Sequence, residues 1–381
     1  MGAGRLAPAG ISPWAIQVLD GRIAWVGPAS EAPADDERID LGTALVTPGL
    51  VDSHTHPVFA GDRSDEAAAR LEGAPYTGGG ILRTVGATRA TDDATLETLV
   101  EARLRAALAA GTTTVECKSG YGLSLDEELR HLRLIRRVAH RLPLRVVATF
   151  LGAHAVPDGT SLGEYAALVA DEMIPAVAAQ RLAEFVDAFA DAGFFDLAAV
   201  ERIGGAAAAA GLGLRLHADQ LARTGAAELG IRLGAASVDH LEQLDAAGVI
   251  ALAGSGTVAT LLPAPAIVLR DHLPPARALL DAGATVALAS DANAGTYSGF
   301  GTMPLIVGLG ATLLGMTVTE ALTAATVGGA AALRRPELGA LRVGAAADLV
   351  AWDAEHEGAF ALRLGAVRPV RTWISGEEIG R

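Results

Sequence analysis

The chain holds a single cysteine, Cys117, in 381 residues. No intrachain disulfide can form, which excludes the disulfide-stapled secreted scaffolds and fits a reducing compartment, the cytoplasm. Lysine is equally scarce: Lys118 is the only one, and arginine supplies the rest of the positive charge. Positive charge as a whole is outnumbered, with 30 Lys and Arg against 44 Asp and Glu, a net charge of -14. That balance argues against nucleic acid or an anionic membrane as a partner, because both favour a basic surface. Residues 257–268 are broken by Pro263 and Pro265, and no stretch reads as the roughly 20-residue apolar span of a membrane helix. Residues 1–11 lack the charged and then apolar pattern of a secretory leader.

Apolar residues make up 51% of the chain, enough to bury a large core. Short apolar, β-branched runs alternate with amphipathic helical stretches, the pattern of βαβ units and a parallel sheet. Eight runs read as strands, near 50–53, 113–118, 146–153, 185–190, 214–217, 237–240, 257–261 and 285–289. Helices are expected at 96–110, 126–141, 162–179 and 274–282. Eight such units close into a (β/α)8 TIM barrel, expected over residues 48–339. The flanks, 1–47 and 340–381, carry short strands at 14–26, with a turn at Asp20-Gly21, and at 347–352 and 370–374. They are expected to meet as one small β-sandwich. Residues 35–38 read as a solvated charged turn.

The candidate chemistry begins at His54-Thr55-His56. Side chains two apart on a strand share a face, so two imidazoles would stand together at the end of the first barrel strand, a start for a zinc or iron site. Alone, the pair also fits polar residues at any strand end. His154, His217 and His240 each close a different strand, and Asp291 follows the last. In a barrel these ends converge on one site. Five of the nine histidines fall there, too many for unrelated strand-end residues. His131, His140, His272 and His356 fall on helices or loops and are expected at the surface or at helix ends. Cys117, inside a strand, is expected to be a small core residue.

The run Pro48-Gly49-Leu50-Val51-Asp52-Ser53-His54-Thr55-His56 and the C-terminal Gly339-Ala340-Leu341-Arg342-Val343-Gly344 with Ala347-Asp348-Leu349-Val350 resemble the amidohydrolase superfamily. A narrower resemblance, to the imidazolonepropionase family, rests on six motifs. They are Phe59-Ala60-Gly61-Asp62-Arg63, Gly78-Gly79-Gly80-Ile81, Lys118-Ser119-Gly120-Tyr121-Gly122, Phe150-Leu151-Gly152-Ala153-His154, Leu216-His217-Ala218-Asp219-Gln220 and Asp291-Ala292-Asn293-Ala294-Gly295-Thr296. They occur in the family's order, and the resemblance runs from about residue 46 to about residue 352. The stretch Tyr76-Thr77-Gly78 is shorter than the family's, and Asp62 stands where asparagine is common.

The resemblance implies a hydrolase that opens the cyclic amide of 4-imidazolone-5-propanoate, with one Zn2+ or Fe3+ per subunit held by His54, His56, His217 and Asp291. It implies substrate contacts from Arg63, Tyr121, His154, Gln220, Asn293, Gly295 and Thr296, and proton and carbonyl chemistry from Asp291 and His240. It also implies a homodimer, the common assembly of the family. Arg63 would take the propionate tail; the bland alternative is a surface salt bridge with Asp62 or Asp65. Gln220 stands where many related deaminases, and some members of the family, carry glutamate, and a glutamine cannot titrate. Lys118 is the one candidate for a carboxylated lysine bridging two metals. The single metal implied gives it a supporting role instead. A ring deaminase of the same superfamily and a non-catalytic barrel are the competing readings.

Overall fold

The computed structural model describes residues 13–34, 37–74 and 79–380. The leader reading at 1–11, the turn residues Asp35 and Asp36, and Tyr76-Thr77-Gly78 lie outside the described residues. Two strands, β1 (Trp14–Leu19) and β2 (Arg22–Pro28), form an antiparallel hairpin, and β3 (Val46–Pro48) follows. Eight parallel strands then come in chain order: β4 (Leu50–Asp52), β5 (Thr112–Lys118), β6 (Arg145–Ala153), β7 (Phe185–Ala190), β8 (Gly213–Ala218), β9 (Ser237–His240), β10 (Val258–Leu261) and β11 (Val286–Leu288). Each pairs with its neighbours in sequence, so all eight expected strands are present with bounds shifted by a residue or two.

The sheet closes where β4 and β11 run past their ends. Thr55 bridges Ala292 in parallel, the Asp291 amide donates to His54 O at 3.0 Å, and the His56 amide donates to Ala292 O at 2.9 Å. Ser290 donates from its amide and its hydroxyl to the buried Asp52 carboxylate, at 3.0 and 2.6 Å. The seam is therefore stitched at the residues the sequence marks for chemistry.

The helices cover the barrel, and the one expected over 162–179 runs as Leu162–Leu168, a π-helical turn Val169–Met173 and Ile174–Ala179. No helix among the described residues is long and apolar enough to cross a membrane. At the C-terminus β12 (Leu349–Trp352), β13 (Pro369–Ile374) and β14 (Glu377–Glu378) join β3 in a four-stranded antiparallel sheet, in the order β14-β13-β12-β3. The hairpin and this sheet bury Ile23, Ala347, Leu349 and Trp373 between them, giving the small sandwich. Gly49 lies between β3, in this sheet, and β4, in the barrel.

One expectation fails. His131 is not at the surface: it sits fully buried on the helix Leu125–Ala139, and neither ring nitrogen has a hydrogen-bond partner. Burial, with the charges of Arg130 and Arg89, lowers its pKa from 6.5 to about 3. The unfolded chain then binds a proton that the folded chain refuses. The stability tied to this residue is complete above pH 6.5 and is lost as the pH falls toward 3. That loss amounts to about 2 kcal/mol between pH 7 and pH 5. His131→Leu is expected to be neutral or stabilising at pH 7 and to flatten this acid-side decline, measured by urea unfolding at the two pH values.

Candidate active site

The strand ends bring His54, His56, His217, His240 and Asp291 together. His54 and His56 follow β4 on one face, His217 lies near the end of β8, His240 closes β9 and Asp291 follows β11. His240 and Asp291 both have positive φ, 85° and 47°, as does Leu241 at 70°. Such strain in non-glycine residues persists where the surroundings enforce it. Here the seam hydrogen bonds fix Asp291, and the Leu241 amide donating to Ala218 O at 3.1 Å fixes the turn after His240.

Buried carboxylates set the imidazole tautomers. His54 Nδ1 donates to Asp239 Oδ2 at 2.7 Å, and Arg215 Nη2 donates to the same oxygen at 2.9 Å. His217 Nδ1 donates to Asp187 Oδ1 at 3.1 Å, while Lys118 Nζ donates to Asp187 Oδ2 at 2.8 Å and to Glu116 Oε1 at 2.7 Å. An ionised carboxylate only accepts, so both Nδ1 atoms carry the proton and both Nε2 atoms present a lone pair. Burial, followed by the charge of Lys118, pushes the His54 pKa well below its ordinary value, and burial lowers that of His56. Burial thus favours the neutral form of both rings.

The Nε2 atoms of His54 and His217 face that of His56. His56 Nε2 lies 3.2 Å from His54 Nε2 and 3.4 Å from His217 Nε2. Asp291 Oδ1 lies 3.3 Å from His56 Nε2 and 3.6 Å from His54 Nε2. Donors about 2.1 Å from a tetrahedral ion stand about 3.4 Å from one another. These separations match the spacing of donors around one ion, and His56 Nδ1, unpartnered among the described residues, leaves its Nε2 as the atom that faces the others. The residues therefore fit one metal ion, and three nitrogens with one oxygen suit zinc or iron over ions that prefer all-oxygen sites.

At His240 burial opposes the charged ring, but the carboxylates of Glu242, Asp291 and Asp239 outweigh it and raise the pKa. At Asp291 burial opposes ionisation, but His56 and His240 outweigh it and lower the pKa. The ring of His154 stacks on His56 with centroids 5.3 Å apart, and Tyr121 lies 5.1 Å from His154. His154 Nδ1 donates to Gly120 O at 2.9 Å, which leaves its Nε2 to accept. Gln220 is buried at the turn after β8, and its side-chain amide has no hydrogen bond to another described residue.

Arg63 is 5% exposed and pairs with neither Asp62 nor Asp65; its Nε and Nη2 donate to Glu66 Oε2 at 3.0 and 2.8 Å. Its guanidinium lies between two glycines. A Cβ on Gly80 would fall 2.0 Å from Nη2, and one on Gly295 would fall 2.1 Å from Nη1. Asn293 uses all its side-chain hydrogen-bonding capacity on its own loop. Oδ1 accepts from the Gly295 and Thr296 amides, and Nδ2 donates to Asp291 O and Thr296 Oγ1. It shapes the loop that carries Gly295 and Thr296.

The sequence reading left out the supporting carboxylates. Beyond Asp187 and Asp239, Glu128 accepts from the Gly120, Gly122 and Leu123 amides and so sets the loop of Tyr121. Asp191 accepts from the Gln220, Leu221 and Ala222 amides. A signal existed for part of this set: Glu116 with Lys118 and Arg215 with His217 are titratable residues two apart inside strands, and Asp239 directly precedes His240. Cys117 is buried, and burial raises its thiol pKa well above the ordinary value, so it is no nucleophile.

The family model described as the amidohydrolase family matches residues 45–379. The imidazolonepropionase of Salinispora arenicola is 50% identical over 355 residues, covering 92% of this chain and 88% of its own. That of Saccharopolyspora erythraea is 47% identical over 369 residues, covering 96% and 93%. Among solved structures, 5-methylcytosine deaminase from Klebsiella pneumoniae, liganded with phosphonocytosine, is similar at a TM-score of 0.78 and 18% identity, over 98% of this chain and 96% of its own. At that identity the likeness speaks for the fold alone.

Proposed function

We infer the chemistry from one premise: the chain belongs to the amidohydrolase family and, within it, to the imidazolonepropionases, hydrolases that act on the carbon–nitrogen bond of a cyclic amide. The substrate on this reading is 4-imidazolone-5-propanoate, the product N-formimidoyl-L-glutamate, and the setting histidine degradation. Water adds to the ring carbonyl carbon, the adjacent C–N bond breaks, and the released nitrogen takes up a proton.

His54, His56, His217 and Asp291 would hold one zinc or iron ion. When bound, such an ion lowers the pKa of water from 15.7 toward about 7 and polarises a carbonyl. Asp291, kept ionised by its imidazole neighbours, accepts the proton of the attacking water. His240, whose pKa stands above the ordinary value, donates a hydrogen bond to the carbonyl oxygen as it gains negative charge. Tyr121 and His154 line the ring, the Asn293 loop presents Gly295 and Thr296, and Arg63 meets the propionate tail with its fork. The lone cysteine supports a cytoplasmic setting,.

The observation that carries this reading is the convergence on His56 Nε2 of His54 Nε2 at 3.2 Å, His217 Nε2 at 3.4 Å and Asp291 Oδ1 at 3.3 Å, with Asp291 Oδ1 also 3.6 Å from His54 Nε2. Its test is turnover of freshly generated imidazolonepropionate. Substrate absorbance is expected to fall without release of ammonia, and chelator to stop it. Ammonia release would move the chain to the deaminases.

Gln220 orients substrate or water and carries no proton. Gln220→Glu is therefore expected to raise the rate by less than about a hundredfold in steady-state kinetics. A larger gain would assign a proton shuttle to this position.

A further inference from the structure

A second guanidinium lies beside Arg63. The helix Ser64–Leu71 starts just after Arg63, its N-cap residue, and Glu66 and Arg70 follow at spacings of three and four. The three side chains therefore share one face. Glu66 Oε2 takes both donors of the Arg63 Nε–Nη2 edge, and Arg70 Nη1 lies 3.9 Å from the same oxygen. Arg70 Nη2 donates to Gly295 O at 2.7 Å, across 225 residues of chain. The Arg63 and Arg70 side chains are only 4% and 8% exposed.

Two consequences follow from this geometry. With its Nε–Nη2 edge occupied, Arg63 has its Nη1 side left for a ligand, and Nη1 is the atom that packs against Gly295. Arg70 holds Gly295 by its carbonyl, so the cation and the loop it faces are tied to one helix. Arg83, paired with Asp65 at 2.7 Å on the exposed side, also lies 3.6 Å from Glu66 Oε1.

We propose that Arg70 is a positioning residue for the substrate tail: with Glu66 it fixes the Arg63 fork against the Gly295–Thr296 loop. This rests on the reading that Arg63 receives the propionate. Burying a guanidinium is costly without partners, and here Glu66 and the Gly295 carbonyl, which these arginines hold, shape the tail pocket.

The test compares wild type, Arg70→Met, Arg70→Lys and Arg63→Met on two substrates: imidazolonepropionate, and the same ring bearing a methyl group in place of the propionate. Loss of a charged hydrogen bond in Arg70→Met is expected to raise KM for the tailed substrate about tenfold or more, with kcat within about threefold. Arg70→Lys recovers part of that loss, and kcat/KM for the methyl compound stays at the wild-type value. Equal losses on both substrates, or a fall in kcat alone, would make Arg70 a purely structural residue and overturn the proposal. Thermal unfolding of each variant reads the fold separately. A raised KM in Arg63→Met with none in Arg70→Met sinks the proposal and leaves the tail assignment standing. An unchanged KM in Arg63→Met removes the tail assignment and the proposal with it.

Discussion

Asparagine in place of Asp291 is expected to lower kcat/KM by about a thousandfold to ten-thousandfold. The substitution is a clean one. Asp291 has φ +47°, and asparagine is among the residues that tolerate the left-handed region. The seam bonds that fix position 291 through its amide and carbonyl survive the change. What is lost is the negative charge. The amide cannot accept the water's proton, and it leaves three imidazoles with no anion opposite the ion they would share. His240 also loses one of the carboxylates that raise its pKa. The fold should persist, with thermal unfolding close to wild type, while bound metal and rate both fall. A loss of less than about tenfold would hand the proton to His240 or to solvent.

Lys118→Met carries the largest expected cost in stability, about 3 to 5 kcal/mol in denaturant unfolding. Lys118 is completely buried, and its Nζ donates to Glu116 at 2.7 Å and to Asp187 at 2.8 Å. Burial opposes its charge, but Asp187 and Glu116 outweigh that and raise its pKa. It is an ammonium between two carboxylates. Methionine keeps the volume and leaves those carboxylates buried without their cation. Asp187 in turn holds the His217 proton at Nδ1, so metal affinity is expected to drop by about ten- to a hundredfold as well. Equilibrium titration of the refolded variant with zinc measures that second effect. Unchanged stability would mean that Arg215, whose Nε lies 3.9 Å from Glu116, carries the compensation alone.

The barrel was legible because short apolar, β-branched runs recur between helical stretches, and six of the eight strand ends carry His or Asp within a few residues. Two-residue spacing placed His54 and His56 on one face without any knowledge of partners. The pairings beneath them were not legible. His54 and Asp239 are 185 residues apart, and Lys118 and Asp187 are 69 apart. Nothing in either local stretch names the other. Glu66 and Arg70 look like the polar face of a surface helix, and only the packing of Gly80 and Gly295 onto Arg63 turns that face inward. His131 misled for the converse reason: a polar residue on a strongly charged helix lies on the side that meets the core.

Metal content of the active enzyme, determined by elemental mass spectrometry beside turnover of the same sample, weighs most directly on the shared cation. The account predicts close to one zinc or iron per chain, lost together with activity on dialysis against chelator and regained with it. Full activity in a preparation free of transition metal, or two ions per chain, would contradict it.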